Sequence, residues 1–525
     1  MDTLYINGKI RLMDKGGSVV SALGVKDGLI AFVGNNADFE AAEVIDLKGA
    51  LMLPGFCDSH LHLVGYAFAK NALALYEAKS KKDMLEMLSE HLKSNKDAKF
   101  IYGRGFNDKD FADKTLPVKA ELDSVCPDIP VQLSRVCGHM GICNSKTIEL
   151  IKSLPGYENE AHNIDEENGF IYEGAMGLFF KTIPAPTVET VKGLIRSAMN
   201  DLNRCGITSA QSDDFGALPG GNPQRIIEAY KQLENNGEIT VRVYEQCLFS
   251  DSEKFAGFLN AGYRTGLGGD FFKIGPLKIL LDGSLGARTA ALLDDYSDAA
   301  GNRGLVNLSP LEFNRMIALA KAHNMQIAVH GIGDRAIEMI INGIEKHFGP
   351  CAELRHGIVH AQITNPVQLQ RMKNLGIMAY IQPVFLDSDL HIAEQRLGTH
   401  RTKTSYAFRS MTDMGILVSG GSDAPVCPFD VMENIYFAVT RKDLCGFPEN
   451  GWLPEERLTV EQAVRLFTTN AAYCSFSENI RGTLEVGKQA DLVVLGEDIF
   501  NIAAEKIKDV SVLRTVVGGK TVYLG

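Results

Sequence analysis

The feature that most constrains this chain is an alternation in its middle. Eight short apolar or β-branched runs, at 50–53, 208–211, 240–246, 277–281, 326–329, 357–359, 378–381 and 416–419, are separated by stretches of helical pattern such as 314–322 and 335–346. Strands buried on both faces of a parallel sheet read as continuous apolar runs, because each face is covered by helices. Repeated strand–helix units therefore predict an α/β chain, and eight of them predict a TIM-type (β/α)8 barrel. One interval breaks the rhythm. Residues 54–207 separate the first run from the second, far more than a strand–helix loop needs. That interval has helical patterns of its own at 82–92, 146–154 and 188–202, and reads as an inserted α+β segment.

The two ends are built differently. Strand-like runs at 4–6, 10–13, 19–25 and 29–33 are interrupted by Asn7-Gly8-Lys9 and Asp27-Gly28, both hairpin-type turn signals. Runs at 491–495, 511–517 and 521–524 follow the same style, with Gly518-Gly519 as the last turn. The expectation is a β-sandwich domain assembled from both termini (1–50 and 481–525), a barrel from 51–64 and 205–480, and an inserted domain over 65–204.

Composition narrows the function classes. A net charge of −12 argues against nucleic acid or an anionic membrane as a partner. The opening residues lack a basic segment followed by an apolar stretch, and no run is long enough to span a bilayer; a cytoplasmic protein with a small-molecule substrate is expected. Ten cysteines (57, 126, 137, 143, 205, 247, 351, 427, 445 and 474) occur without a Cys-x-x-Cys pair, which suggests reduced, mostly buried thiols rather than a disulfide framework or zinc ribbon.

Candidate chemistry lies at the ends of the apolar runs. Pro54-Gly55-Phe56-Cys57-Asp58-Ser59-His60-Leu61-His62 follows the first of them. Histidines at i and i+2 of an extended segment project from one face, and two imidazoles side by side make a pair of metal ligands. Run 326–329 leads into His330 and Gly331-Ile332-Gly333-Asp334, run 357–359 into His360-Ala361-Gln362, and run 416–419 through Gly420-Gly421-Ser422 to Asp423. Lys278 sits inside run 277–281, just before Asp282-Gly283-Ser284. Each has an ordinary reading alone: a hydrogen-bonded structural histidine, a helix-capping aspartate, a snorkelling lysine. In a parallel barrel, however, all strands open on one face, and that face hosts the active site. Gly331-Ile332-Gly333 lacks the third glycine and acidic partner of a dinucleotide fingerprint. His323, His347 and His391 lie in helical or polar surroundings, as does the basic stretch 79–82.

With these residues in view, the chain resembles amidohydrolase family 3 of the amidohydrolase superfamily, which includes N-substituted formamide deformylase. The resemblance runs from Asn7-Gly8-Lys9 and Ala31-Phe32-Val33-Gly34, through the His60/His62 motif, Lys278 to Gly286, Val329-His330, His360-Ala361-Gln362 and Gly421-Ser422-Asp423-Ala424-Pro425, to the return segment at 482–492. Within the long interval, Leu122-Asp123, Pro130-Val131, Gly138-His139 and Asn144-Ser145-Lys146 match as well. One departure is visible: Gly105-Phe106-Asn107 stands where family members often carry a tryptophan, which unsettles analogy in the substrate pocket.

The resemblance implies a metal-dependent hydrolase of an amide-type C–N bond. It implies one divalent metal on His60, His62 and Asp423 and a second on His330 and His360. Lys278, carboxylated on its amine, would bridge the two. Zinc suits the set, with manganese, iron or nickel as alternatives, and one or two ions per chain remain open. A metal-activated hydroxide would attack, Asp423 would act as general base and then acid, and His330, His139 or Arg288 would assist catalysis. A homodimer is the family's expectation. Two other readings stand beside this one: hydrolytic deamination of a heterocycle or hydrolysis of a lactone or ester on the same barrel, and a silent barrel used for binding.

Overall fold

Eight parallel strands hydrogen-bond in chain order to form the central sheet. They are β1 (Phe56–Leu61), β2 (Ile207–Ser212), β3 (Arg242–Leu248), β4 (Phe272–Leu280), β5 (Ile327–Gly331), β6 (Gly357–His360), β7 (Met378–Ile381) and β8 (Val418–Gly420). The ring closes just beyond the strands, where Asp423 N–H donates to the His60 carbonyl and His62 N–H to the Ala424 carbonyl, both at 2.8 Å. The computed structural model describes every residue except 37, 112, 113, 136–138 and 351. Gly138 of the Gly138-His139 pair, Cys137 and Cys351 thus lie outside the described residues. All eight described cysteines are unpaired, and five of them are buried.

The helices between strands follow from sequence periodicity. In Asp334–His347 the buried positions include Ile337, Ile340, Ile341 and Ile344, the i, i+3, i+4, i+7 stripe of a helix lying on a sheet. Pro366–Leu375 starts with Asn365 accepting the Gln368 N–H, has proline in its first turn, and stops at Gly376, a cap-to-cap pattern written wholly in local sequence.

By contact, the chain divides into two compact units. The first takes Met1–Gly65, Val191–Phe215 and Pro223–Gly525; the second takes Tyr66–Thr190 and Gly216–Asn222. The interval expected as an inserted domain was 65–204, whereas the helix Val188–Arg204 falls largely in the first unit.

Besides the barrel, the first unit holds two sheets made from both chain ends. One has four strands, ordered Leu29–Gly34, Ala22–Lys26, Thr3–Ile6, Glu43–Asp46; the other has six, ordered Lys520–Leu524, Val512–Val517, Leu492–Leu495, Leu51–Pro54, Lys9–Arg11, Val19–Val20. They share a core that includes Tyr5, Ile10, Leu23, Met52, Leu492 and Val516. A buried ion pair joins β3 to the return segment: Arg242 donates through Nε and Nη2 to Asp491 at 2.8 and 3.2 Å. Removing either partner of such a pair strands a buried charge and costs about 3–5 kcal/mol.

Two sequence expectations are corrected here. Run 50–53, expected as the first barrel strand, belongs instead to the terminal six-stranded sheet, pairing antiparallel with Leu492–Leu495. The barrel begins one step later, with Phe56–Leu61. Both segments are wholly buried, so apolarity cannot tell the two sheets apart. The Asn7-Gly8-Lys9 turn is not a hairpin either, because Thr3–Ile6 and Lys9–Arg11 enter different sheets. The turns at Asp27-Gly28 and Gly518-Gly519 do join antiparallel neighbours.

The second unit has its own six-stranded mixed sheet, ordered Ile164–Asp165, Phe170–Tyr172, Met140–Cys143, Val131–Arg135, Ile101–Phe106, Leu73–Ala74. Its core packs Leu75, Met84, Leu88, Leu122, Val131 and Ile142. At Gly105 the Tyr76 ring lies so close that a Cβ would sit 2.7 Å from it. In this unit Tyr76 covers that backbone. Among the described residues no helix is long and apolar enough to cross a membrane.

Candidate metal centre

The site is assembled at the C-terminal ends of the barrel strands, all within the first unit. His60 lies at the end of β1 and His62 just past it, with ring centroids 5.3 Å apart, so the i, i+2 spacing does place both on one side. Across the barrel, His60 and His360 rings are 5.5 Å apart and His330 and His360 rings 4.4 Å apart. Asp423 Oδ1 stands 3.1 Å from His62 Nε2 and 3.3 Å from His60 Nε2. Lys278 Nζ lies 3.2 Å from His60 Nε2. Ligand atoms of His60, His360 and Asp423 all fall within 4.8 Å of one another, a grouping that cuts across the two sets drawn from the resemblance.

What makes these rings a donor set is the occupation of their opposite nitrogens. His60 Nδ1 meets Gln246 Oε1 at 2.9 Å, His360 Nδ1 meets Gln382 Oε1 at 2.7 Å, and His62 Nδ1 meets the Asp213 carbonyl at 2.9 Å. Each of these partners can only accept, so each ring donates Nδ1–H and turns Nε2 inward; on His60 and His360 that nitrogen keeps its lone pair, while on His62 it faces Asp423 Oδ1. His330 is held the other way round, with Nε2 on the Gly283 carbonyl at 3.0 Å and Asp282 Oδ1 at 3.2 Å, which leaves the lone pair on Nδ1. Three inward Nε2 atoms and one carboxylate oxygen beside them fit a divalent cation, since metal-bound histidines bond through their other nitrogen in this manner.

Backbone geometry at the site is unusual. Asp423 has φ +62°, His360 +78° and Ala361 +47°, a left-handed region that non-glycine residues enter at a cost of about 1–2 kcal/mol. Such strain is retained where the surroundings over-determine it. One such constraint is Asp58, whose Oδ1 accepts the backbone N–H groups of His60 at 3.0 Å and Ser422 at 3.2 Å. That carboxylate straps the first strand to the loop after the last. Gly421 passes so near that a Cβ there would lie 2.6 Å from the His60 nitrogen. On the other side Asp282 accepts from Ala291, Ile332 and Gly333 N–H at 2.9, 3.1 and 2.8 Å. Gly333 is glycine because a Cβ would meet the Ala291 carbonyl at 2.0 Å. Its place in Gly331-Ile332-Gly333 thus has a packing cause.

Burial sets the protonation states. Loss of solvent, reinforced by the Lys278 charge, lowers His60 to about 3 despite Asp423. Burial likewise takes His360 well below its usual value. His62 goes the other way: burial opposes its charge, but the Asp423 hydrogen bond and the charges of Asp213 and Asp423 raise it to about 9. Burial would raise Asp423 as well; His60 and His62 outweigh it and hold the carboxyl well below the usual range. Burial lowers the Lys278 amine to about 8, against Asp213 and Asp423. The Asp58 carboxyl is lifted by burial to about 7, against the hydrogen bonds it accepts.

Of the residues named from sequence, His60, His62, Lys278, His330, His360 and Asp423 all converge here. Arg288 does not contact any of them in the described contacts: its Nε and Nη2 hold Asp298 at 3.0 and 2.8 Å, and Asp298 is shared with Arg396. His139 belongs to the second unit, where its Nδ1 meets Glu173 at 2.9 Å with most of the ring exposed. Sequence reasoning gave no role to Asp58, Asp213, Gln246, Asp282 and Gln382. Gln382 directly follows the apolar strand β7, which was the available signal for it; Gln246 lies inside β3 beside Glu245 and carried none.

Comparison with known proteins agrees with this geometry. The amidohydrolase family model matches residues 43–523. YtcJ of Bacillus subtilis (strain 168) is 30% identical over 538 aligned positions, covering 100% of this chain and 99% of its own. The N-substituted formamide deformylase of Arthrobacter pascens is 26% identical, covering 99% and 98%. The crystal structure of an uncharacterized metal-dependent hydrolase from Pyrococcus horikoshii OT3 superposes with a TM-score of 0.82 at 26% identity, covering 96% of this chain and 99% of that one. With a family match spanning most of its length and a strand-end histidine cluster to go with it, the chain belongs to the amidohydrolase family.

Proposed function

We propose that this protein is a metal-dependent hydrolase that cleaves an amide-type C–N bond of a small molecule, such as an N-substituted formamide, an acylated amine or a cyclic amide. The observation that carries this reading is the set of imidazoles whose outer nitrogens are all occupied and whose inner nitrogens turn toward an ionised aspartate. Likeness to a formamide deformylase over nearly the full length of both chains supports the choice of bond.

In this reading His60, His62, His360 and Asp423 hold a divalent cation, zinc by the chemistry of the donors. When bound, such a cation polarises a carbonyl and acidifies water in contact with it. Asp423, kept ionised by the two histidines, takes the proton of the attacking water and returns it to the leaving nitrogen. Water and amide are thereby converted to acid and amine. Lys278 is given the role of a second anionic ligand after its amine, lowered by burial, adds carbon dioxide and releases a proton. His330, pinned through Nε2 by Gly283 and Asp282, stands beside His360 with ring centroids 4.4 Å apart. Neither Arg288 nor His139 enters this mechanism.

The test is a panel of N-formyl, N-acyl, cyclic-amide and lactone compounds assayed with zinc-loaded protein. Amine release from one or more amides is expected, lost on dialysis against a chelator and restored by added zinc. Ammonia release from aminated rings, with every amide left intact, would overturn the proposal in favour of deamination.

A further inference from the structure

The four rings of the metal centre are braced in two ways. His62 and His330 lean on main-chain carbonyls, each with a carboxylate nearby: Asp213 Oδ2 is 3.9 Å from His62 Nδ1, and Asp282 Oδ1 is 3.2 Å from His330 Nε2. His60 and His360 instead lean on side-chain amides. Gln246 and Gln382, both buried, offer Oε1 to the respective Nδ1 at 2.9 and 2.7 Å. Their orientation is fixed from behind. Gln246 Nε2 donates to the Ser59 carbonyl at 3.1 Å, and Gln382 Nε2 to the Tyr380 carbonyl at 3.2 Å. A reversed amide would set its oxygen against a carbonyl, so only one assignment satisfies both ends.

From this we infer that Gln246 and Gln382 are positioning residues for the metal centre, chosen as neutral acceptors. Each fixes one imidazole with its Nε2 lone pair inward, and neither adds negative charge behind the ring. A carboxylate in the same place makes a metal-bound imidazole a stronger donor. An amide withholds that reinforcement, leaving a cation that is held in place but remains strongly electron-withdrawing. The carbonyl behind each glutamine enforces the choice, because an ionised carboxylate would face it lone pair to lone pair. The inference rests on the reading of His60 and His360 as ligands.

Zinc transfer from the loaded protein to a chromogenic chelator tests it, with wild type, Gln246→Met, Gln246→Glu, Gln382→Met and Gln382→Glu measured from pH 6 to 9. The methionine variants keep side-chain length and lose the acceptor; zinc release is expected to quicken by about 10–100-fold. The near-isosteric glutamate variants hold the ring as neutral acids at low pH, giving release close to wild type. As pH rises and they ionise, release slows relative to wild type, a trend the glutamine does not show. Methionine variants that release zinc at the wild-type rate would overturn the inference, as would glutamate and methionine variants that behave alike. If wild type itself retains no divalent cation, the metal-centre reading fails first. If it binds zinc and only the variants are indifferent, the positioning role alone falls.

Discussion

The barrel mouth and the second unit both bury polar side chains at loops beyond strand ends, and they resolve the problem in opposite ways. In the second unit Asn144, fully buried, closes on its own surroundings. Its Oδ1 accepts from Val131 N–H at 3.1 Å, Thr147 N–H at 3.0 Å and the Thr147 hydroxyl at 2.9 Å, while Nδ2 donates to the Cys126 and Ile129 carbonyls, both at 2.8 Å. Asp123 next to it takes the N–H and hydroxyl of Ser145 at 2.8 and 2.6 Å. Every donor and acceptor of that amide is answered by protein. At the barrel mouth the outer nitrogens of His60, His62 and His360 are each answered by a fixed acceptor, while the inner nitrogens of His60 and His62 crowd against one Asp423 oxygen, with the Lys278 amine beside His60. A buried polar group whose valences are complete holds structure together; a group of them left incomplete toward one point prepares a site for a ligand.

The contrast can be broken at its sharpest point by Asp423→Asn. Removing the ionised carboxylate that faces the inner nitrogens of His60 and His62 is expected to lower amide hydrolysis by about 10³-fold or more and to reduce zinc per chain. Thermal unfolding of the metal-free protein should change by only ~3 °C. Wild-type turnover in this variant would remove Asp423 from the chemistry.

Asn144→Ala tests the other side. Val131 N–H, Thr147 N–H and the Cys126 and Ile129 carbonyls lose this partner together, for a cost of at least about 4 kcal/mol at 1–3 kcal/mol per stranded buried group. Hydrogen exchange followed by mass spectrometry should show faster exchange across 66–190, with zinc content unaltered. Unchanged exchange there would mean that this knot does not hold the unit.

A third residue stands between the two cases and sharpens them. His356, buried in the barrel wall, accepts the Ile327 N–H on Nδ1 at 3.2 Å, while its Nε2 has no partner among the described residues. Burial lowers its pKa to about 3. Between the unfolded value near 6.5 and about 3 the unfolded chain therefore binds a proton that the folded chain refuses. The stability contributed by the neutral ring is complete above about pH 6.5 and is lost as pH falls. At about 1.4 kcal/mol per pH unit, denaturation curves at pH 6.5 and pH 5 should differ by about 2 kcal/mol less in His356→Gln than in wild type. Equal differences would show that this ring is not an acid-sensitive point.

Much of the site was legible because its ligands end apolar runs. His60, His330 and His360 could be assigned to one face once eight runs implied a parallel barrel, and Asp423 could be assigned with them. The residues that brace them were not legible for a physical reason. Gln246 and Gln382 reach their rings from other strands, from β3 to β1 and from the end of β7 to β6, at sequence separations of 186 and 22 residues, and no spacing rule connects such pairs. Asp282 lay in plain view beside Gly283, yet its task is to gather three backbone N–H groups, one from further along its own loop and two from the loop after β5. The first strand was misassigned because 51–54 and 56–61 are equally buried, and only pairing partners distinguish them. The motif Asn144-Ser145-Lys146 was recognisable without its meaning, which emerges only when Val131 and Asp123 are seen beside it.

The meeting of Asp423 with His60 and His62 has a consequence for how the molecule comes into being. Partners 361 residues apart along the chain must join before the ligand set exists. A ribosome makes the two histidines early and the aspartate late, so no nascent chain shorter than 423 residues can carry the finished set. Reactivity is thereby withheld from partial products of synthesis, and proteolytic fragments that separate the two ends lose it at once.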